Sequence, residues 1–128
     1  GLAAMEAYDA SAVDYVNSLG TFFKEGVKAI FGRLGLDMRI SGVGSIYNIL
    51  FTNKDVKNYR DVAAAHEELN KILYLDLLVR GVFDAERGMF CMSTAMSRAD
   101  VEFGLLTLEE ALKDMLPVIA DEAPKLFL

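Results

Sequence analysis

The sequence contains one cysteine, one histidine, two prolines and no tryptophan. A single thiol, Cys91, excludes an internal disulfide and points to a reducing compartment; with no signal-peptide pattern either, the chain reads as cytoplasmic. The lone His66 has no second His or Cys to build a zinc site with, so no metal ligand is assigned. Basic charge is short too: 13 Lys and Arg stand against 19 Asp and Glu, a net charge of −6. Binding a phosphate backbone takes clustered Lys and Arg, and no such run exists, so nucleic acid is not an expected partner. Neither is a membrane, since no apolar run reaches the roughly 18 residues needed to cross one.

Apolar residues, by contrast, are abundant. They make up 53% of the 128 residues, above the roughly 45–50% usual for soluble proteins. A chain of this length forms one domain and buries roughly two thirds of its unfolded surface. The apolar excess implies that part of its surface is covered by another chain or domain. The chain opens Gly-Leu-Ala-Ala, in the middle of a helical pattern, and is expected to be a piece of something longer.

Gly1 to Ala10 reads as the tail of a helix. Ser11 to Asp14 has capping-box spacing, and Val16, Leu19, Phe23, Val27, Ile30 and Leu34 then form one apolar stripe at three- and four-residue steps. Gly20 and Gly26 interrupt this helix at about 1 kcal/mol each, tolerable if another element packs closely there. Met38 to Ser41 alternates as a half-buried strand, Gly42-Val43-Gly44 allows a reversal, and Ser45 to Thr52 is a β-rich run expected to lie centrally in a sheet with both faces covered. Asp61 is placed as the cap of a helix over Val62 to Arg80. That helix has a solvated first half (His66, Glu67, Glu68, Asn70) and a second half buried on nearly every side. Gly81 closes it. Val82-Phe83 and Met89 to Met92 read as short strands around a polar loop, Asp84 to Gly88. Ser97 and Asp100 form a capping box for a last helix with Val101, Leu105, Leu108, Leu112 and Met115 on one face, ended by Pro117. This order gives an α+β fold: a small antiparallel sheet of three to four strands with helices packed on one face. The expected organisation is a single domain over 1–128, with a core over 11–116 between a helical tail at 1–10 and a tail at 117–128.

Arg87 stands out chemically. In the loop between two strands, its guanidinium could fork onto a substrate carboxylate, or it could be a solvated arginine paired with Glu86 or Asp84. Cys91, in an apolar strand with no base placed beside it, reads as a small buried hydrophobe. Gly42-Val43-Gly44-Ser45 precedes a strand, where a phosphate loop would precede a helix. The seven lysines fall on helices or polar loops, none in the apolar setting that suits Schiff-base chemistry. No residue of this chain is assigned a catalytic or cofactor-binding role.

Several stretches together resemble the C-terminal small domain of class III, fold-type I pyridoxal-phosphate aminotransferases, on the glutamate-1-semialdehyde aminomutase side. They are GLAAMEAYDA at the start, Leu19-Gly20, GVGSIYNILFT from Gly42, NYRD from Asn58, LYLDLLVRGVF from Leu73, and RGMFCMSTAMSRADV from Arg87. The resemblance spans Gly1 to about Leu116. It implies a homodimer with pyridoxal phosphate between a large and a small domain, acting on a small amino acid and a keto acid. The cofactor-carrying lysine and the phosphate contacts would lie in the large domain, and no residue here matches them, so the chain alone is expected to be inactive. Arg87-Gly88 is similar to the loop of β-amino-acid transaminases, whose arginine meets the substrate carboxylate. The resemblance therefore favours an aminotransferase. An aminomutase fragment, or a non-catalytic α+β ligand-binding or oligomerisation module, remains the alternative.

Overall fold

The computed structural model describes all 128 residues. Its elements are α1 (Leu2–Ala7), α2 (Ala10–Leu34), β1 (Arg39–Val43), β2 (Ile46–Leu50), α3 (Tyr59–Ala63), α4 (Glu67–Val79), β3 (Met89–Cys91) and α5 (Arg98–Glu122), followed by a 3₁₀ turn at Pro124–Leu126. The fold is α+β, with three antiparallel strands in the order β1-β2-β3. Val82 and Phe83 form no strand; only an isolated bridge, Ala85 to Met89, precedes β3.

β2 is the central strand, pairing Tyr47 with Gly42 on one side and with Phe90 on the other. Its alternation sends Tyr47, Ile49 and Phe51 into the main core with the stripes of α2 and α5. Phe23 meets Phe90 there at 4.9 Å between ring centroids. The opposite face is covered only at Leu50, while Ile46 is exposed. The expectation of a strand sealed on both faces thus holds at one end alone. Cys91 departs from expectation more fully: it is exposed, because β3 is a short edge strand and pleating turns Phe90 inward and its neighbour outward.

Helix boundaries moved for identifiable reasons. The cap of α2 is Asp9, whose carboxylate accepts the Ala12 N–H at 3.0 Å and the Ser11 hydroxyl at 2.7 Å, so Ser11 donates to the cap instead of being it. The single helix expected over Val62 to Arg80 is two helices. The His66 N–H leaves the helical ladder and donates to the Phe51 carbonyl at 3.2 Å, breaking the run beside the end of β2. Asn58 caps α3, with Asp61 at its third position closing the capping box. Gly81 ends α4 in the left-handed conformation and Ser97 caps α5, both as expected. Pro117 does not end α5. It and Lys113, whose carbonyl loses a helical donor, lie on the exposed face, while Ile119 beyond them is fully buried. Residues 117–128 pack onto the domain, the Leu126 carbonyl accepting from Asp37 N–H at 2.6 Å and Leu128 N–H donating to Gly35 at 2.9 Å.

α4 buries Leu69, Leu73 and Leu77 but leaves Ile72, Leu75, Leu78 and Val79 exposed, Val79 at 86%. Its second half is therefore half buried, with an apolar outer face open in this chain.

Gly20 faces the hairpin tip so closely that a Cβ there would collide with the Gly44 carbonyl oxygen. Gly32, in the same helix, has open space around it. Gly20→Ala is expected to lower stability by roughly 1–3 kcal/mol through overpacking. Gly32→Ala should raise it by about 0.5–1 kcal/mol through helix propensity. Urea denaturation of both variants checks the pair; equal shifts of one sign would refute the close approach.

Candidate functional site

On the far side of the sheet from the main core lies a cavity of about 250 Å³. It is lined by Leu50 at the end of β2, Tyr59, Val62 and Ala63 of α3, Ala65 of the following turn, Glu67 and Asn70 of α4, and Arg87. The capping box builds its wall: Arg60 N–H donates to the Asn58 side chain at 2.9 Å and Asn58 N–H to the Asp61 carboxylate at 3.0 Å, which fixes a single turn of helix across the cavity. The break at His66 then sets the start of α4, and with it Glu67 and Asn70, at the cavity's edge.

Arg87 enters on a pinned loop. Gly88, at φ 76°, adopts a conformation that L side chains rarely take, and a Cβ there would approach both the Ile49 carbonyl and the Asn70 carboxamide. The Ile49 N–H donates to the Gly88 carbonyl at 2.9 Å and the Gly88 N–H to Ala85 at 2.7 Å. The backbone beside Arg87 is therefore tied to the central strand, while its side chain is exposed. Every other arginine except Arg60 has an acidic partner within 4 Å; Arg87 pairs with neither Glu86 nor Asp84. A second hollow on its other flank is lined by Glu67, Lys71, Ala85 and Glu86. Lys71 reaches Glu67 at 3.4 Å and Glu68 at 3.1 Å, so the nearest acidic wall is already neutralised in part. An unpaired fork of donors beside the apolar walls of Leu50, Tyr59 and Val62 can bind a carboxylate whose remainder is apolar.

Asn70, at the cavity, and Asp84, in the loop before Arg87, were not legible as buried polar groups. Asn70, expected to be solvated, is 5% exposed, and its Oδ1 is sealed from solvent without a donor. A signal was there: it lies three and seven residues before Leu73 and Leu77, on the buried stripe of α4. Asp84 is 3% exposed, and neither carboxylate oxygen has a hydrogen-bond donor. No local spacing marks it. His66, by contrast, lies on the surface beside Glu67, Glu68 and Glu122, and no group of acidic, His and Cys side chains in the chain could hold a metal ion.

No protein-family model matches the chain. It is 34% identical over 105 residues to an uncharacterized aminotransferase of Schizosaccharomyces pombe, a match covering 81% of this chain and 24% of that protein. It is 28% identical over 83 residues to the beta-phenylalanine transaminase of Variovorax paradoxus, covering 65% of this chain and 19% of that one. Among solved structures, a glutamate-1-semialdehyde aminomutase from Pseudomonas aeruginosa in complex with PMP superposes with a TM-score of 0.80 at 26% identity, over 90% of this chain and 27% of that one. The relatives and structural neighbours are class III pyridoxal-phosphate aminotransferases and glutamate-1-semialdehyde aminomutases. This chain spans about a quarter of their length.

Pyridoxal phosphate needs a lysine amine and a cradle of donors for its phosphate. None of the seven lysines is buried; Lys28, Lys71 and Lys113 are paired with glutamates and Lys24 stands over the Tyr47 ring. No lysine of this chain has the buried setting that would suit it to carry that cofactor.

Burial pushes the Asp84 carboxyl up to about 6 from 3.8. The folded chain thus holds a proton that the unfolded chain releases, so this stability is complete below pH 3.8 and is lost as pH rises through about 6. Asp84→Asn removes the charge that must be buried. At pH 7 it should stabilise the chain by on the order of 1–3 kcal/mol, a gain that shrinks towards pH 4. Thermal melts at both pH values check this, and a pH-independent difference would refute it.

Proposed function

We propose that this chain is the C-terminal part of a pyridoxal-phosphate-dependent aminotransferase, and that Arg87 takes the carboxylate of the amino-acid substrate. The rest of the protein, a large domain, supplies the lysine and phosphate contacts absent here, and the full protein works as a homodimer in the cytoplasm. The observation that carries the substrate role is Arg87 itself: a guanidinium without an acidic partner, on a backbone tied to the central strand, beside a cavity walled by Leu50, Tyr59 and Val62. A carboxylate with an apolar substituent suits those walls, and the similarity to a beta-phenylalanine transaminase supports a β-amino acid as donor, with a keto acid as acceptor. The cofactor supplies the electron sink, and this chain's part is to bind and orient the substrate. An aminomutase of the same fold is separated by assay, since it isomerises its substrate with no keto-acid acceptor.

In the full-length protein, Arg87→Ala should raise KM for the amino donor and lower kcat/KM by about ten- to a hundredfold, the worth of a charge-assisted hydrogen bond of roughly 1.5–3 kcal/mol. Arg87→Lys should recover part of the loss, because an ammonium cannot fork onto two oxygens. Both variants should melt like the unmutated protein, since an exposed loop arginine contributes little to stability. Steady-state kinetics checks this; unchanged kcat/KM in Arg87→Ala would move the carboxylate contact elsewhere.

A further inference from the structure

Two groups at this cavity have unmet hydrogen-bonding needs of opposite kind. Arg87 offers donors with no acidic acceptor, and Asn70 holds an acceptor, Oδ1, that is sealed from water and has no donor. Both line the same hollow, and Gly88 brings the two segments together: its missing Cβ leaves room for the Asn70 carboxamide, whose oxygen would sit 3.1 Å from that atom. A buried acceptor left without a donor is costly, and the cost is removed only when a donor arrives.

We infer that Asn70 is the positioning residue for Arg87: its carboxamide oxygen receives one guanidinium N–H when the arginine folds into the cavity over a carboxylate. This rests on the reading of Arg87 given above. The guanidinium has five N–H donors, so two can go to the carboxylate while another goes to Asn70. A neutral acceptor suits this task better than a charged one. A carboxylate at position 70 would pair with Arg87 by itself and compete with the substrate, whereas an amide orients the arginine and leaves its charge for the ligand.

The test uses the full-length protein, with 3-phenylpropanoate as a carboxylate probe lacking an amino group and 3-phenylpropanamide as its neutral counterpart, both followed by titration calorimetry. Asn70→Ala should weaken binding of the carboxylate about five- to tenfold. Asn70→Asp, of the same shape, should weaken it more, and Asn70→Ser, which retains an acceptor, less. Binding of the neutral amide should be unchanged in all three. A role confined to packing predicts equal losses for the acid and the amide in Asn70→Ala. That pattern overturns the inference, as does carboxylate binding by all three variants at the unmutated affinity. Arg87→Ala, run alongside, separates the two readings. If it weakens the carboxylate and the Asn70 variants do not, only the role of Asn70 falls. If it has no effect, or the unmutated protein does not prefer the acid over the amide, the assignment of Arg87 falls as well.

Discussion

At Gly20 the backbone of α2 rests against the Gly44 carbonyl at the tip of the β1–β2 hairpin, with no room for a methyl group between them. That approach sets the spacing of the helix layer over the sheet. It lets Phe23 reach Phe90 across the gap, and the register of β3 on β2 then follows from the pairing of Phe90 with Tyr47. Two residues before β3 begins, Arg87 inherits its position from the same strand through the Gly88 carbonyl and the Ile49 N–H. A helix–hairpin contact at one end of β2 is thereby connected to the loop that carries the Arg87 guanidinium. The connection runs through backbone hydrogen bonds, which deform less than side-chain contacts.

The layout of the fold was legible in the sequence because it depends on periodicity and caps. The stripe from Val16 to Ile30, the run centred on β2, Gly81 at the end of α4 and the Ser97–Asp100 box act over one or two turns of chain, and all lie where their spacing puts them. What was not legible depends on partners distant in sequence. Nothing local says that the His66 N–H will bond to Phe51 in place of its own helix, or that Ile119 and Leu126 will hold α5 through Pro117. The site divides the same way. Arg87 could be singled out from its loop, but its lack of an acidic partner could not. Asn70 was misjudged because its polarity was given more weight than its place on the stripe of Leu73 and Leu77.

α4 does two jobs with one sequence. Its inner face closes the core with Leu69, Leu73 and Leu77, and Asn70 beside Leu69 lines the Arg87 cavity. Its outer face, through Leu75 and Val79, is apolar and uncovered, as suits a chain spanning a quarter of its relatives' length. Arg80, held by Asp76 of its own helix at 3.0 Å, fastens α4 to α5 through Asp114 at 2.6 Å, and the exposed pair with Asp114 adds orientation more than stability. Movement of α4 would therefore alter the core, the cavity and the outer surface together.

The core is shared between α2, near one end of the chain, and α5, near the other, and the last residues are stitched to the start of β1. During synthesis α2 leaves the ribosome well before α5, so the stripe from Val16 to Ile30 lacks the part of its cover that α5 supplies until the end of this chain is made. Contacts so far apart in sequence form slowly, and a growing chain with a bare apolar helix is prone to misassociation. The main core is therefore complete only once α5 and the final turn have joined it.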